Sequence, residues 1–108
     1  MDVWKKLIVL TNMLYEFTDD LLSSEKYGLI SQMRHAAVYI QSNIAEGSGR
    51  NSNAELRNFV NIALGSLTKL ETQIFLCKEL SLVQSVPKEL SMVFLDTRNF
   101  FYELLVIE

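Results

Sequence analysis

Apolar residues recur along most of this chain at alternating spacings of three and four residues, which is the pattern of an amphipathic helix. The pattern breaks near residues 22–25, 47–52 and 82–87, where serines, glycines or the single proline lie. Only four glycines and one proline occur in all, which favours long helices over strands. We expect one helix in each remaining segment, over roughly residues 3–22, 25–47, 53–82 and 86–107.

Each segment carries an apolar stripe along one helix face. The four stripes consist of Val3, Leu7, Leu10, Leu14, Phe17 and Leu21; Ile30, Met33, Ala37, Ile40 and Ile44; Leu56, Val60, Ala63, Leu67, Leu70, Ile74 and Cys77; and Val86, Leu90, Val93, Thr97, Phe100, Leu104 and Ile107. The clearest helix start is Ser52-Asn53-Ala54-Glu55, which fits a capping box. The second helix is expected to stop at Gly47 or Gly49, where a left-handed residue would satisfy free carbonyl groups.

Four amphipathic helices with short connections fold most simply as a single all-α domain over residues 1–108, an antiparallel up-and-down four-helix bundle. Sustained seven-residue spacing favours left-handed crossing near ~20°. Further large apolar residues lie off the stripes, namely Trp4, Ile8, Tyr15, Phe59, Ile62, Phe75, Phe94, Phe101 and Leu105. Because a monomer rarely exposes a large apolar patch, this surplus predicts self-association, unless some of these side chains fill a wide core.

Charge and composition narrow the classes of function. Ten Lys and Arg against 13 Asp and Glu give a net charge of −3, and this disfavours a protein whose whole surface coats nucleic acid. The single cysteine, Cys77, excludes an intramolecular disulfide, and the single histidine, His35, excludes a multi-histidine metal site. No apolar run approaches the ~18 residues of a membrane span. We therefore expect a cytoplasmic protein with no membrane partner.

No catalytic constellation is found in the sequence. Glutamates occur on every predicted helix, but a di-iron carboxylate site also needs two Glu-x-x-His pairs, and residue 32, three before His35, is glutamine. Cys77 lies on an apolar stripe, and its neighbour Lys78 projects roughly 100° away around the helix. We expect no enzymatic activity, no cofactor and no small-molecule substrate. A hydrolase or metalloenzyme is the alternative, which metal analysis of the purified protein tests.

The stretch from Gln32 to Arg57 is locally basic, with a net charge of +1 against −4 for the remaining chain. Within it, Gly47-Ser48-Gly49-Arg50 followed by Ser52 joins a glycine-rich turn to a helix start, where backbone amides can hold an anion such as phosphate. The alternative is a tight interhelical loop whose glycines only permit positive φ. Glu46 and Arg50 are four residues apart, close enough to pair across the helix end.

The run from Gln32 to Arg50, with Asn43-Ile44-Ala45-Glu46-Gly47 near its end, closely resembles the family of small four-helix-bundle proteins encoded in intervening sequences of bacterial 23S ribosomal RNA genes. Flanking matches extend the resemblance to roughly residues 3–82; they are Val3-Trp4-Lys5, Tyr15, Tyr27-Gly28-Leu29, Phe59, Ala63, Gly65-Ser66-Leu67 and Leu70-Glu71. The resemblance implies a left-handed up-and-down bundle that assembles as a homopentameric ring, with no established enzymatic activity. It also implies a structural motif formed by Asn43, Glu46, Gly47, Gly49 and Ser66.

Accessory proteins of diversity-generating retroelements look similar in fold and assembly, and they bind nucleic acid and a reverse transcriptase. Three positions of this chain depart from the family pattern. His35 stands where a second arginine is typical, Tyr39 where serine is common, and Gln41 where proline often kinks the helix. The lost arginine weakens any phosphate contact that the resemblance implies, and the lost proline predicts a straighter second helix.

Two hypotheses for the function remain open. The first is a homo-oligomeric scaffold that contacts RNA or another nucleic acid, with affinity that falls steeply as salt rises. Its candidate contacts are Arg34, His35, Arg50 and Arg57. The second is a purely protein–protein scaffold, in which Asn43, Glu46 and Arg50 hold the second and third helices together and no nucleic acid binds. In that case His35 is an exposed or interface histidine.

Overall fold

The computed structural model describes residues 2–21 and 26–107 of the chain. Within them lie four α-helices and no strand: α1 (Asp2–Asp19), α2 (Tyr27–Ser48), α3 (Asn53–Glu79) and α4 (Lys88–Leu105). The prediction of an all-α protein with four helices is confirmed. The expected end of the first helix at residue 22 and the expected start of the second at residue 25 lie outside the described residues.

Each helix packs against two others: α1 and α3 both contact α2 and α4. Side-chain contacts between α1 and α2 run in opposite order along the two helices. Thr18, near the end of α1, accepts a hydrogen bond from Arg34 in the first half of α2. Thr11, two turns earlier on α1, accepts one from Gln41 further along α2. The α2 helix is continuous through Gln41.

The core contains most of the first three predicted stripes but only part of the fourth, in which Val86, Phe100 and Leu104 are half-buried and Ile107 is 39% exposed. Every stripe residue of α1 and α2 is buried, and so is every one of α3 except the half-buried Leu56. On α4, however, Phe94 and Phe101, which lie off the predicted stripe, are also buried, as in the alternative that some of the off-stripe residues fill a wide core. Because α4 contacts both α1 and α3, an arc wider than one stripe turns inward. Trp4 and Leu105 likewise pack against the core.

The connection between α2 and α3 corrects the expected role of its glycines. The α2 helix passes through Gly47 to Ser48, and its C-cap Gly49 has right-handed angles, φ −85° and ψ −3°. Within residues 2–21 and 26–107, no glycine has positive φ. Gly47 is instead required by a close helix contact, since a Cβ atom there would lie 2.8 Å from Cβ of Phe59 and 3.2 Å from Cδ1 of Leu56.

The third and fourth helices start in different ways. Ser52 caps α3 as predicted, because its Oγ accepts a hydrogen bond from the backbone N–H of Glu55 at 3.2 Å. The α4 helix starts at Lys88, two residues later than expected. Pro87 occupies the N-cap with extended angles, φ −55° and ψ 134°, rather than the first helical turn. A residue in this conformation is outside the helix, so the chain turns into α4 only at Lys88.

The α3 helix ends at Glu79, three residues before the expected end. Ser81 adopts a left-handed φ of 60° and is the only non-glycine residue that does so in the described part of the chain. Its N–H bonds the carbonyl of Lys78, and the N–H of Leu82 bonds the carbonyl of Cys77 at 2.9 Å. These two bonds form a Schellman motif, which ends a helix by satisfying its last carbonyl groups.

Candidate functional site

The four predicted nucleic-acid contacts do not form one cluster. Arg34 and His35 lie in the first half of α2, whereas Arg50 and Arg57 lie at the α2–α3 connection and the start of α3. At 1.5 Å per residue, the separation of Arg34 from Arg50 corresponds to roughly 24 Å along the helix axis. One phosphate group therefore cannot contact both ends, and a nucleic acid would have to follow the length of α2.

Arg34 is held by α1. Its Nε donates to Oγ1 of Thr18 at 2.8 Å, and a terminal nitrogen donates to the carboxylate of Asp19 at 2.7 Å. Its Cζ lies 4.4 Å from the centre of the Tyr15 ring, on the face of that ring. Such charge-assisted hydrogen bonds are stronger than those between neutral groups. Arg34 thus joins α1 to α2, and a phosphate would compete with Asp19 for it.

Arg50 and Arg57 also have partners inside the chain. Arg50 donates to the carboxylate of Glu46, as the four-residue spacing predicts, and its Cζ lies 5.1 Å from the centre of the Phe59 ring. Arg57 donates to the backbone carbonyl of Ile107, just beyond α4. These contacts tie the α2–α3 connection and the start of α3 to neighbouring elements. Three of the four predicted contacts therefore have structural partners.

His35 differs from the three arginines because its ring lies on an exposed surface beside another ring. It stacks with Tyr39, the ring centres being 6.4 Å apart and the planes inclined by 17°. Both rings line a shallow groove between α2 and α3, together with Gln32, Ser66 and Lys69. The groove combines two aromatic rings with one ammonium group, a pairing that suits a planar or negatively charged ligand group.

Two buried amides lie near the contact between α2 and α3. Asn43, a predicted motif residue, donates to the carbonyl of Tyr39 at 2.9 Å, so this bond lies within α2. Gln73 donates to Oε1 of Gln32 at 3.3 Å and thereby crosses from α3 to α2. Its own Oε1 is buried without a hydrogen-bond partner among the described residues. The sequence alone did not single out Gln73. The available signal was its position one turn after Lys69, which places the two residues on the same face of α3.

The other motif residues border the same contact. Gly47 is buried where α2 meets Phe59 of α3, and Glu46 anchors Arg50 at the end of α2. Gly49 caps α2, and Ser66 lies half-buried in the groove. The motif that the resemblance implies thus lies along one helix contact and its connection.

Comparison with protein families matches residues 1–92 to the 23S rRNA-intervening sequence protein family. The chain belongs to this family. The matched part includes α1, α2, α3 and the first residues of α4, and hence every candidate site residue described above. A search of curated proteins found no match to the chain. Within α4, the residues that follow Met92 lie beyond the matched part.

The described residues of this 23S rRNA-intervening sequence protein bring no three His, Cys, Asp or Glu side chains together as a metal site. Cys77 is buried in α3, and burial raises the pKa of its thiol. The neutral thiol, which is a poor nucleophile, is thereby favoured at neutral pH. Within residues 2–21 and 26–107, none of the helices has the length and apolar character needed to cross a membrane.

Proposed function

We propose that this protein is a non-enzymatic homo-oligomeric scaffold, an antiparallel and left-handed up-and-down bundle whose copies assemble as a ring of five. Membership of the 23S rRNA-intervening sequence protein family supports the proposal. The opposite order of contacts along α1 and α2 supports the antiparallel arrangement. The observation that carries the assembly is the apolar surface that α1, α2 and α3 leave exposed.

Apolar side chains are exposed on both outer sides of α2. Tyr15, Tyr27 and Val38 line a groove between α1 and α2, and Tyr27 is 60% exposed. On the other side, towards α3, Ile62 is exposed. Because the two surfaces differ, contact between one surface and the other on the next copy is heterologous, and such contacts generate rings when the rotation closes.

Sedimentation velocity at low micromolar concentration tests the assembly. The wild-type protein is expected to sediment as an oligomer, and Val38→Asp is expected to sediment as a monomer because it buries a carboxylate in the contact. Asn99→Asp adds the same charge to an exposed position of α4 and serves as the control, which should leave the oligomer intact. A wild-type protein that sediments as a single subunit would overturn the proposal.

The proposal also includes contact between this scaffold and RNA. The exposed His35 and Tyr39 rings, with Lys69 beside them, form a surface on which a base can stack while a phosphate meets the ammonium group. A fluorescent single-stranded RNA should bind at low salt, with log K falling by ~0.7 per log unit of salt for each phosphate neutralised. Lys69→Gln should reduce both the affinity and this slope, whereas Lys78→Gln should change neither.

The partners of the three arginines favour the alternative, a purely protein–protein scaffold. Arg34, Arg50 and Arg57 each bond a group within the chain, so phosphate binding would have to replace those bonds. If no RNA binds at low salt while the oligomer persists, the alternative is the function. If Lys69→Gln and Lys78→Gln weaken RNA binding equally, the groove is not the contact.

A further inference from the structure

The outward face of α4 carries an apolar stripe that no described helix covers. Met92, Leu95 and Tyr102 of α4 and its C-cap residue Val106 lie along this face, and their side chains are 55%, 58%, 49% and 78% exposed. Their spacings of three, seven and four residues keep them on one side of the helix, where the exposed polar residue Asn99 lies within the seven-residue gap. The opposite side of α4, which includes Phe101, is buried in the core. The α4 helix is therefore apolar on two faces, and only one of them is used within the bundle.

Negative charge borders one edge of this stripe. Glu89, Asp96 and Glu103 are exposed on α4 and are separated by seven residues each, so they form a row along the helix. In the part of the chain that the structure describes, none of these three carboxylates forms an ion pair. We call Glu89, Asp96 and Glu103 the acidic row.

The opposite edge of the stripe offers no free cation to balance the acidic row. Arg98 lies on that edge, but one terminal nitrogen donates to the carboxylate of Glu71 at 2.6 Å. Another donates to the hydroxyl of Thr68 at 3.1 Å. Arg98 is therefore committed to the contact between α3 and α4. Lys88 is exposed one turn before Met92 at the start of the stripe, so a helix that covers the stripe has to bring its own positive charge to meet Asp96 and Glu103 further along.

The charges also distinguish a second copy of α4 from a different helix. In an antiparallel pair of α4 helices, like edges face each other, so the acidic row of one copy would lie opposite the acidic row of the other. In a parallel pair, the acidic row would face the edge with Arg98, which is already bonded to Glu71. Like charges across a helix pair oppose association, and charges at these edge positions select partner and orientation. Pairing of α4 with itself is thus disfavoured.

We propose that this face of α4 binds an amphipathic helix of another protein, one with apolar residues at three- and four-residue spacing and Lys or Arg along the edge that meets the acidic row. Helices dock on one another through apolar side chains at this spacing, and opposite charges at the edge give register and specificity. From Met92 to Val106 the stripe is roughly 21 Å long, so a partner helix of about four turns covers it.

The docking face lies apart from the surfaces proposed for self-assembly. Those surfaces belong to α1, α2 and α3, whereas the stripe belongs to α4. All of its residues except Met92 also follow the part of the chain that matches the family. The binding of a basic helix and the formation of the oligomer can therefore be tested separately, each by its own measurement.

Two synthetic helical peptides of about four turns test the proposal against the full chain. Both have Leu at three- and four-residue spacing; the first carries Lys along the edges, and the second carries Glu at the same positions. Fluorescence anisotropy should show that the Lys peptide binds at least roughly tenfold more tightly than the Glu peptide, with an affinity that falls as salt rises. Equal binding of the two peptides, or none of either at tens of micromolar, would overturn the proposal.

Variants of the protein locate the binding surface. The combined change Leu95→Ser and Tyr102→Ser removes exposed apolar area, so the fold should persist in circular dichroism while the Lys peptide loses roughly tenfold in affinity. Glu103→Gln should weaken binding of the Lys peptide. Glu79→Gln, the same chemical change at an exposed position of α3, should leave that binding unchanged.

Two outcomes of the variant experiment would contradict the proposal. Equal losses in Glu103→Gln and Glu79→Gln would show that the peptide responds only to the net charge of the protein. A change in sedimentation of the protein alone, caused by Leu95→Ser and Tyr102→Ser, would show that a second copy covers the stripe.

Discussion

Ser81 holds a backbone conformation that favours glycine. Its φ of 60° ends α3 in a Schellman motif, and a side chain in this region costs roughly 1 kcal/mol relative to glycine. We expect Ser81→Gly to raise the free energy of unfolding by about 0.5–1 kcal/mol in urea denaturation, because relief of this strain exceeds the added freedom of the unfolded chain. Ser85→Gly, in the same connection but without positive φ, should be neutral or slightly destabilising. Equal gains from both would exclude backbone strain as the cause.

Gly47 is required for a different reason, the close approach of α2 and α3. A methyl group there would lie 2.8 Å from Cβ of Phe59, so one of the two helices has to move. We expect Gly47→Ala to lower the free energy of unfolding by about 1–3 kcal/mol. Gly65→Ala is the matched control, because it also lies within a helix but meets no atom within 4 Å.

The control change has the opposite expected sign. Alanine in place of an unhindered helical glycine reduces the freedom of the unfolded chain, so Gly65→Ala should stabilise the protein by about 0.5–1 kcal/mol. Thermal melting of both variants by circular dichroism measures the difference. If both alanines stabilise, the two helices are not in the close contact that Gly47 permits.

At the scale of helix pairs, Arg34 is the principal polar link between α1 and α2. Its Nε and a terminal nitrogen bond Thr18 and Asp19, and its side chain is only 26% exposed. We expect Arg34→Met to lower the free energy of unfolding by about 1–2 kcal/mol, since hydrogen bonds to charged groups contribute more than neutral ones. Urea denaturation of Arg34→Met, compared with Arg50→Met, measures the effect.

Arg50 is a suitable reference for Arg34 because its ion pair with Glu46 is exposed and lies four residues away at the end of one helix. Such pairs contribute little, so Arg50→Met should lower stability by less than about 0.5 kcal/mol. A larger loss in Arg50→Met than in Arg34→Met would show that the link from α2 to α1 is not the stronger of the two.

The helices could be predicted from the sequence because each buries one face, so the apolar residues of that face recur every three or four positions along the chain. Leu7, Leu10 and Leu14 on α1 are all buried as their spacing requires. Residues close in sequence, such as Glu46 and Arg50, could be paired in the same way, since helix geometry alone brings them together. Local periodicity and local spacing thus account for the parts of the candidate site that lie within one helix.

Contacts between residues distant in sequence could not be predicted. Gln73 reaches Gln32 across 41 positions, and only the packing of α2 on α3 brings them together. The buried face of α4 could not be predicted either. Because this helix is apolar on two faces, the spacing of its apolar residues does not show whether Phe94 or Leu95 points into the core. The α3 helix ends earlier than its apolar period predicts because Ser81, rather than a glycine, has positive φ there.

At the scale of the whole molecule, the bundle separates two kinds of surface. The groove between α2 and α3 contains Lys69 and two exposed aromatic rings, whereas α4 presents apolar side chains beside the acidic row. The acidic pI of about 5.1 therefore conceals an uneven distribution of charge. A charged partner would therefore bind one of these surfaces in preference to the other, although both expose apolar side chains.

Cys77 reports on the opening of the whole bundle, because its side chain is fully buried among the helices. Burial raises the pKa of its thiol, so the unfolded chain loses this proton at lower pH than the folded protein does. Its contribution to stability is then complete below the unfolded pKa and is lost as pH rises through the folded pKa. We expect the wild type to lose more stability than Cys77→Ala between neutral pH and pH ~10 in urea denaturation. Parallel losses in the two proteins would show that the thiol ionises equally in both states.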